Sequence, residues 1–165
     1  MKKVLMLLVC ALSVGLFHSC SEDLGESGIE IPEFNLKDLT PTDLYIYKNY
    51  TKPYNVEVIY RWKDSETDVA KNLVPPEEEK VEPFLEILKT VWVDPYVEEV
   101  GSNFLKGLIP KQILLIGSAS YNPDETVTQG TAEGGRKMVL YEINSFSPQN
   151  VTKLKRFIHV MHHEF

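Results

Sequence analysis

Apolar and polar positions alternate most cleanly between positions 55 and 62. There Val56, Val58, Tyr60 and Trp62 fall on one side of an extended chain, with Glu57 and Arg61 on the other. A period of two predicts a strand with one buried face. The period becomes helical over residues 83–93, where Phe84, Leu85, Ile87, Leu88, Val91 and Trp92 share one broad apolar side and Pro83 suits a first turn. The unbroken apolar run at 113–116 predicts a buried strand, and residues 137–144 predict another. From Ser147-Pro148 a last helix is expected, with Leu154, Ile158, Met161 and Phe165 along one stripe.

Start and stop signals frame these segments. In Thr40-Pro41-Thr42-Asp43, Thr40 can cap a helix, Pro41 fits its first turn, and Asp43 suits the positive end of its dipole. That helix is expected to run to about Asn49 and stop near Thr51-Lys52-Pro53. A further helical piece follows Asp94-Pro95 and ends near Gly101. Residues 63–76 form a long polar loop. Residues 118–135 are loop-rich, with turns at Asn122-Pro123-Asp124 and Gly134-Gly135. Helices and strands that do not alternate regularly predict an α+β fold.

The first residues follow another rule. Lys2 and Lys3 precede an apolar run at 4–17 that is too short to span a bilayer, which is the pattern of a secretion signal. Leu16-Phe17-His18-Ser19-Cys20 resembles a bacterial lipobox, in which the cysteine becomes the lipidated first residue; Phe17 stands where leucine is usual. The alternative is an ordinary cleaved signal with an incidental cysteine. Ser21, Glu22 and Asp23 resemble the acidic export signal of surface-displayed lipoproteins, or serve as a plain acidic tether. The expected organisation is a signal at 1–19, a lipidated flexible tether at 20–39 and one domain at 40–165.

Charge and cysteine usage narrow the chemistry. Seventeen basic side chains less Lys2 and Lys3 leave fifteen against twenty-four acidic ones, a net −9 for the processed chain. That balance argues against a nucleic-acid partner and against a polybasic membrane patch, so attachment would be by the lipid on Cys20 alone. With Cys10 removed, no thiol remains for a disulfide or a cysteine nucleophile. Asp64-Ser65-Glu66-Thr67-Asp68 starts like a calcium loop but places Val69 and Pro75 where glycine and glutamate are needed. Residues 130–135 lack the lysine and spacing of a phosphate loop, and no serine nucleophile elbow is present.

The last four residues, His162-His163-Glu164-Phe165, carry the strongest chemical signal. His163-Glu164-Phe165 begins an H-E-x-x-H zinc motif whose second histidine would stand at position 167. In that motif, two histidines one helical turn apart bind zinc and the glutamate acts on the metal's water. The motif helix would follow a strand, and its apolar stripe would leave His163 and Glu164 free to face a cleft. The plainer reading is an amphipathic helix whose histidines sit near its end. His159 and His163 also have i, i+4 spacing and could hold a metal adventitiously.

From Leu44 onward the chain resembles the substrate import-associated zinc metallohydrolase lipoproteins of Gram-negative bacteria. The resemblance is carried by Ile46-Tyr47-Lys48-Asn49-Tyr50-Thr51-Lys52-Pro53-Tyr54-Asn55, Val58-Ile59-Tyr60-Arg61-Trp62, Ser65-Glu66-Thr67-Asp68 and Asn72-Leu73-Val74-Pro75-Pro76. It continues in Val91-Trp92-Val93-Asp94-Pro95-Tyr96, Gly130-Thr131-Ala132-Glu133-Gly134-Gly135-Arg136-Lys137 and His162-His163-Glu164-Phe165. It implies the first part of a zincin-like metallopeptidase domain, with His163 a Zn2+ ligand and Glu164 the general base. It also implies an outer-membrane lipoprotein working beside a TonB-dependent importer and its substrate-binding lipoprotein, with a peptide or other amide as substrate. Residues 1–165 alone lack position 167 and the later ligand, so they are expected to be inactive, to hold zinc weakly and to fold marginally. The competing reading is a non-catalytic accessory or substrate-binding lipoprotein of the cell envelope. It would use the aromatics Tyr45, Tyr47, Tyr50, Tyr54, Tyr60 and Trp62 as a stacking surface.

Overall fold

Leu114 and its neighbours occupy the middle of a sheet in the computed structural model, which describes residues 35–165. The expected signal, Cys20 and most of the tether lie outside the described residues. Four strands form that sheet: β1 (Glu57–Ile59), β2 (Gln112–Leu115), β5 (Gly130–Glu133) and β6 (Lys137–Leu140), in the order β1-β2-β6-β5. β1, β2 and β6 are parallel, with Val58 opposite Ile113 and Ile113 opposite Met138; β5 runs antiparallel to β6 at the edge. A separate small hairpin pairs β3 (Ser120–Tyr121) with β4 (Val127–Thr128).

Side-chain alternation sends the two faces of β2 into two cores. Ile113 and Leu115 join Val58, Met138 and Leu140 on the face covered by helices. Leu114 faces the other way with Ile116, Val139 and Tyr141, under Ile59, Trp62 and Leu73. The prediction of a buried strand at 113–116 therefore holds, with the strand itself at Gln112–Leu115 and Ile116 buried just after it. Trp62 departs from its expected place on one face with Val56, Val58 and Tyr60: β1 ends at Ile59, the alternation lapses, and the indole crosses to the second core, where its Nε1 donates to the carbonyl of Leu115 (3.0 Å).

The helices on the first face follow their caps. α1 (Pro41–Ile46) starts where Thr40 Oγ1 accepts from the Asp43 amide (3.1 Å). It does not stop before Pro53. It widens into a π-helical turn over Tyr47–Thr51 and continues as the short α2 (Lys52–Tyr54), ending at Asn55 in the left-handed region (φ 55°). Pro53 lacks only a donor at the start of α2, a place where proline is tolerated. α3 (Glu78–Leu88) begins five residues before Pro83, so the proline sits inside the helix rather than in its first turn. A second π-helical turn, Lys89–Val93, joins α3 to α4 (Asp94–Val100), which ends at Gly101 as expected (φ +85°). α5 (Ser102–Leu108) was not visible in the pattern. The last helix, α6 (Val151–Glu164), begins a little after Ser147-Pro148, capped by Asn150 through the Lys153 amide (3.1 Å).

The aromatics near the start are framework. Tyr50, Tyr54 and Tyr60 are buried, and Tyr50 Oη donates to the carbonyl of Leu85. Tyr60 Oη donates to Asp43 Oδ1 (2.9 Å), and Arg61 caps the same carboxylate, tying α1 to the end of β1. No exposed stacking platform forms from these rings among the described residues. Tyr45, Tyr47 and Trp62 are themselves half-buried.

Candidate active site

α6 comes down across the edge strand. Its buried residues are Phe157 and Met161, flanked by half-buried Leu154, Ile158, Val160 and Phe165. Phe157 forms edge-on ring contacts with Phe84 (5.3 Å) and Phe146 (6.1 Å). At the other end Phe165 stands edge-on to Trp92 (5.4 Å) and Tyr96 (4.9 Å), while the His162 ring lies 5.9 Å from that of Tyr96. These rings fix how far α6 can roll, which decides where the residues between them point.

Close approach to β5 depends on a missing side chain. A Cβ on Gly130 would stand 2.3 Å from Val160 Cγ1 and 3.2 Å from the carbonyl oxygen of Val139. Glycine lets the helix lie against the strand at a distance no larger residue permits. Beyond it, Gly134 and Gly135, both at positive φ, turn the chain from β5 into β6.

Contact between α6 and β5 brings Glu164 to the sheet edge. Gln129 accepts a hydrogen bond from the Tyr141 amide, so Gln129, Thr131 and Glu133 pair with β6. The peptide groups of Gly130 and Ala132 therefore face away from the sheet. Ala132 uses its outward N–H to donate to Glu164 Oε2 at 2.7 Å. The other oxygen, Oε1, lies 3.4 Å from His163 Nδ1; the His163 side chain is 73 % exposed and that of Glu164 24 %. His163 and Glu164 thus sit together at the open edge of β5, while His162 is turned toward Tyr96. His159 lies one turn earlier, its ring centre 6.0 Å from that of His163.

As a metal site the described residues are a partial set. Among them no group of three or more histidine, cysteine or acidic side chains could hold a metal ion. One exposed imidazole beside a carboxylate fits the opening half of an H-E-x-x-H site, and the second histidine of that pattern falls at 167, after Phe165. A hollow of about 310 Å³ across the sheet, lined by Glu66, Asp68, Leu73, Leu114, Val139 and Tyr141, includes neither His163 nor Glu164.

Sequence reasoning missed β5. Gly130-Thr131-Ala132-Glu133 is small and polar, without the apolar alternation that marks a strand. The available signal was Gly134-Gly135 followed by the apolar start of β6, which together mark a hairpin.

A partly parallel sheet with an antiparallel edge strand, crossed by a helix that offers His-Glu at that edge, defines an α+β metallopeptidase-like fold. Residues 36–165 match the family described as "Putative zinc-binding metallo-peptidase", and the chain belongs to that family. It is also similar to the crystal structure of a protein from Bacteroides caccae given the same description. The two are 38 % identical, with a TM-score of 0.57 over 74 % of this chain and 47 % of that one. The chain thus spans about half the length of that protein. No functionally curated protein matches it.

Proposed function

We propose that the whole protein is a zinc-dependent hydrolase of peptide or other amide bonds, with His163 a metal ligand and Glu164 the general base. The observation that carries this reading is the bond from the Ala132 amide to the Glu164 carboxylate, which holds an acid–base group at an unpaired strand edge. An extended peptide can add to such an edge through its own backbone, pairing with the outward groups of Gly130 and with the carbonyl of Ala132, whose N–H stays with Glu164. Its amide would then lie beside Glu164. Zinc, held by His163 with ligands from further along the parent, would lower the pKa of a water and polarise the amide carbonyl. With Oε2 engaged by Ala132, Oε1 is the oxygen left to accept a proton and return it to the leaving nitrogen.

Zinc analysis and peptide-library cleavage on the full-length gene product test this. Glu164→Gln should retain zinc while kcat falls by roughly 10²- to 10⁴-fold, and His163→Ala should lose both metal and activity. Cleavage undiminished in Glu164→Gln would overturn the assignment. A polypeptide of residues 1–165, with one imidazole of the set, should cleave nothing in the same assay.

The site of action is part of the proposal and rests on sequence. A lipid on Cys20 would anchor the protein to the outer membrane, with a TonB-dependent importer and its binding lipoprotein as neighbours. Among the described residues no helix is long and apolar enough to cross a membrane. Cys20→Ser should abolish palmitate labelling and release the protein from the membrane fraction.

A further inference from the structure

The 310 Å³ hollow on the far side of the sheet from α6 holds neither His163 nor Glu164, yet Glu133 joins it to the edge strand. We infer that it is a subsite for a basic side chain, lysine or arginine, of a peptide lying along β5. Its size is at the low end of the roughly 300–1,000 Å³ of small-ligand sites, room for one side chain rather than a folded partner. Leu73, Leu114, Ile116 and Val139 form an apolar floor. Glu66, Asp68 and Glu133 stand on its wall against one cation, Lys137, so three carboxylates and one ammonium leave a net −2. Lysine and arginine suit such a place, with the aliphatic stem over the floor and the charge at the rim.

The acids are held in position. Glu66 Oε2 accepts from the Lys63 amide (2.7 Å) and Asp68 Oδ1 from the Ala70 amide (3.0 Å), leaving each carboxylate a second oxygen. Lys137 opposes a cation, but its Nζ donates to the Glu66 carbonyl (3.2 Å) and lies 3.5 Å from Glu133 Oε2. Lys71 Nζ is taken up by Ser120 (2.7 Å) and Asn122 (3.0 Å), and Lys63 and Arg136 do not line the hollow. The negative field reaches inside. Burial pushes the Tyr141 phenol pKa up, hydrogen bonds with Thr131 and Ser120 pull it back, and the Glu133 and Asp68 charges raise it again. The groove between α1 and α3 is more acidic, with Glu78, Glu79, Glu82 and Glu86, but beyond Pro83 it has no apolar floor for a stem.

Glu133 gives the hollow its place beside the reaction. It follows Ala132 at the end of β5. Alternation sends Gly130 and Ala132 toward α6 and the side chains of Thr131 and Glu133 to the hollow's face. A peptide strand added at that edge alternates likewise, so every second residue hangs on the hollow's side. From there the hollow is one to two strand spacings away, roughly 5–10 Å, a reach that favours long side chains. This placement rests on the hydrolase reading; binding of the side chain does not.

The test is titration of the 165-residue chain with N-acetyl-argininamide and its neutral isostere N-acetyl-citrullinamide, followed by amide chemical shifts in NMR. The arginine probe should bind about fivefold tighter, the scale of an exposed ion pair. Asp68→Asn combined with Glu133→Gln should bind both probes alike; asparagine can keep the bond to the Ala70 amide, so the turn survives. Glu82→Gln combined with Glu86→Gln, in the acidic groove, should change nothing. Equal binding of both probes by wild type, discrimination that survives the first pair of substitutions or falls with the second, or no saturable shift would each overturn the subsite. In the full-length product, cleaved peptides should share a basic residue at one fixed position, and the first pair should erase that preference while zinc stays bound. Cleavage without the preference would overturn the placement along β5. Absence of cleavage with discrimination intact would overturn the hydrolase reading and that placement together, and would leave the side-chain site standing.

Discussion

Asp43 shows how much one side chain near the start of the domain holds. Burial pushes its carboxyl pKa up, but hydrogen bonds from Arg61, Tyr60 and Thr40 outweigh burial and leave it below the ordinary 3.8. A carboxyl whose folded pKa is lowered adds stability above its unfolded pKa and loses it as pH falls through the folded value. Asp43→Asn should therefore cost about 1–2 kcal/mol at neutral pH, with the gap to wild type closing below about pH 4; urea unfolding at several pH values measures it. Tyr60 responds at the alkaline end. Burial and the Asp43 bond push its pKa up to about 12, so its contribution holds below about pH 10 and fades as pH climbs through 12. Gly130 is the second test at this scale. Gly130→Ala drives a methyl into Val160 and should destabilise by about 1–3 kcal/mol, read from the same unfolding curves.

Between elements, the decisive relation is α6 against β5. Ala132→Pro removes the donor to Glu164 but no bond within the sheet, because that N–H faces the open edge, the one place where a strand accepts proline. The expected outcome is a folded protein whose full-length form keeps zinc and loses kcat, whereas Ala132→Gly should lose little. Pro83 offers a test of the opposite sign. It is exposed inside α3, so Pro83→Ala restores a helical donor and should raise stability by about 1 kcal/mol in thermal or denaturant unfolding. Elements were legible where their physics is local. The Thr40 cap, the apolar stripe of α6 and the doubly buried run at 113–116 all declared themselves in the sequence. β5 did not, because an edge strand of small residues is stabilised by its neighbours rather than by its own pattern. Nor did the joining of α1 to α2 and of α3 to α4, since packing on the sheet holds those helices through π turns and past prolines that would end an isolated helix.

For the molecule as a whole, the sheet's two cores divide the work. One fixes the helices that deliver His163 and Glu164 to the edge, and the other lies under the 63–76 loop. The His163-Glu164 pair was legible as two adjacent residues; its setting against the open edge of β5 was not, because a sheet edge is created by topology. Trp92 gives this arrangement an optical consequence. It is wholly buried, its indole N–H has no hydrogen-bond partner among the described residues, and the Phe165 ring stands edge-on against it. The sequence has two tryptophans, the other being the half-exposed Trp62. In a Trp62→Phe background the remaining fluorescence should be blue-shifted while the end of α6 stays docked, and should move to the red when that turn lifts away. The seating of the His163–Glu164 turn can then be followed by emission wavelength, with no label and no substrate.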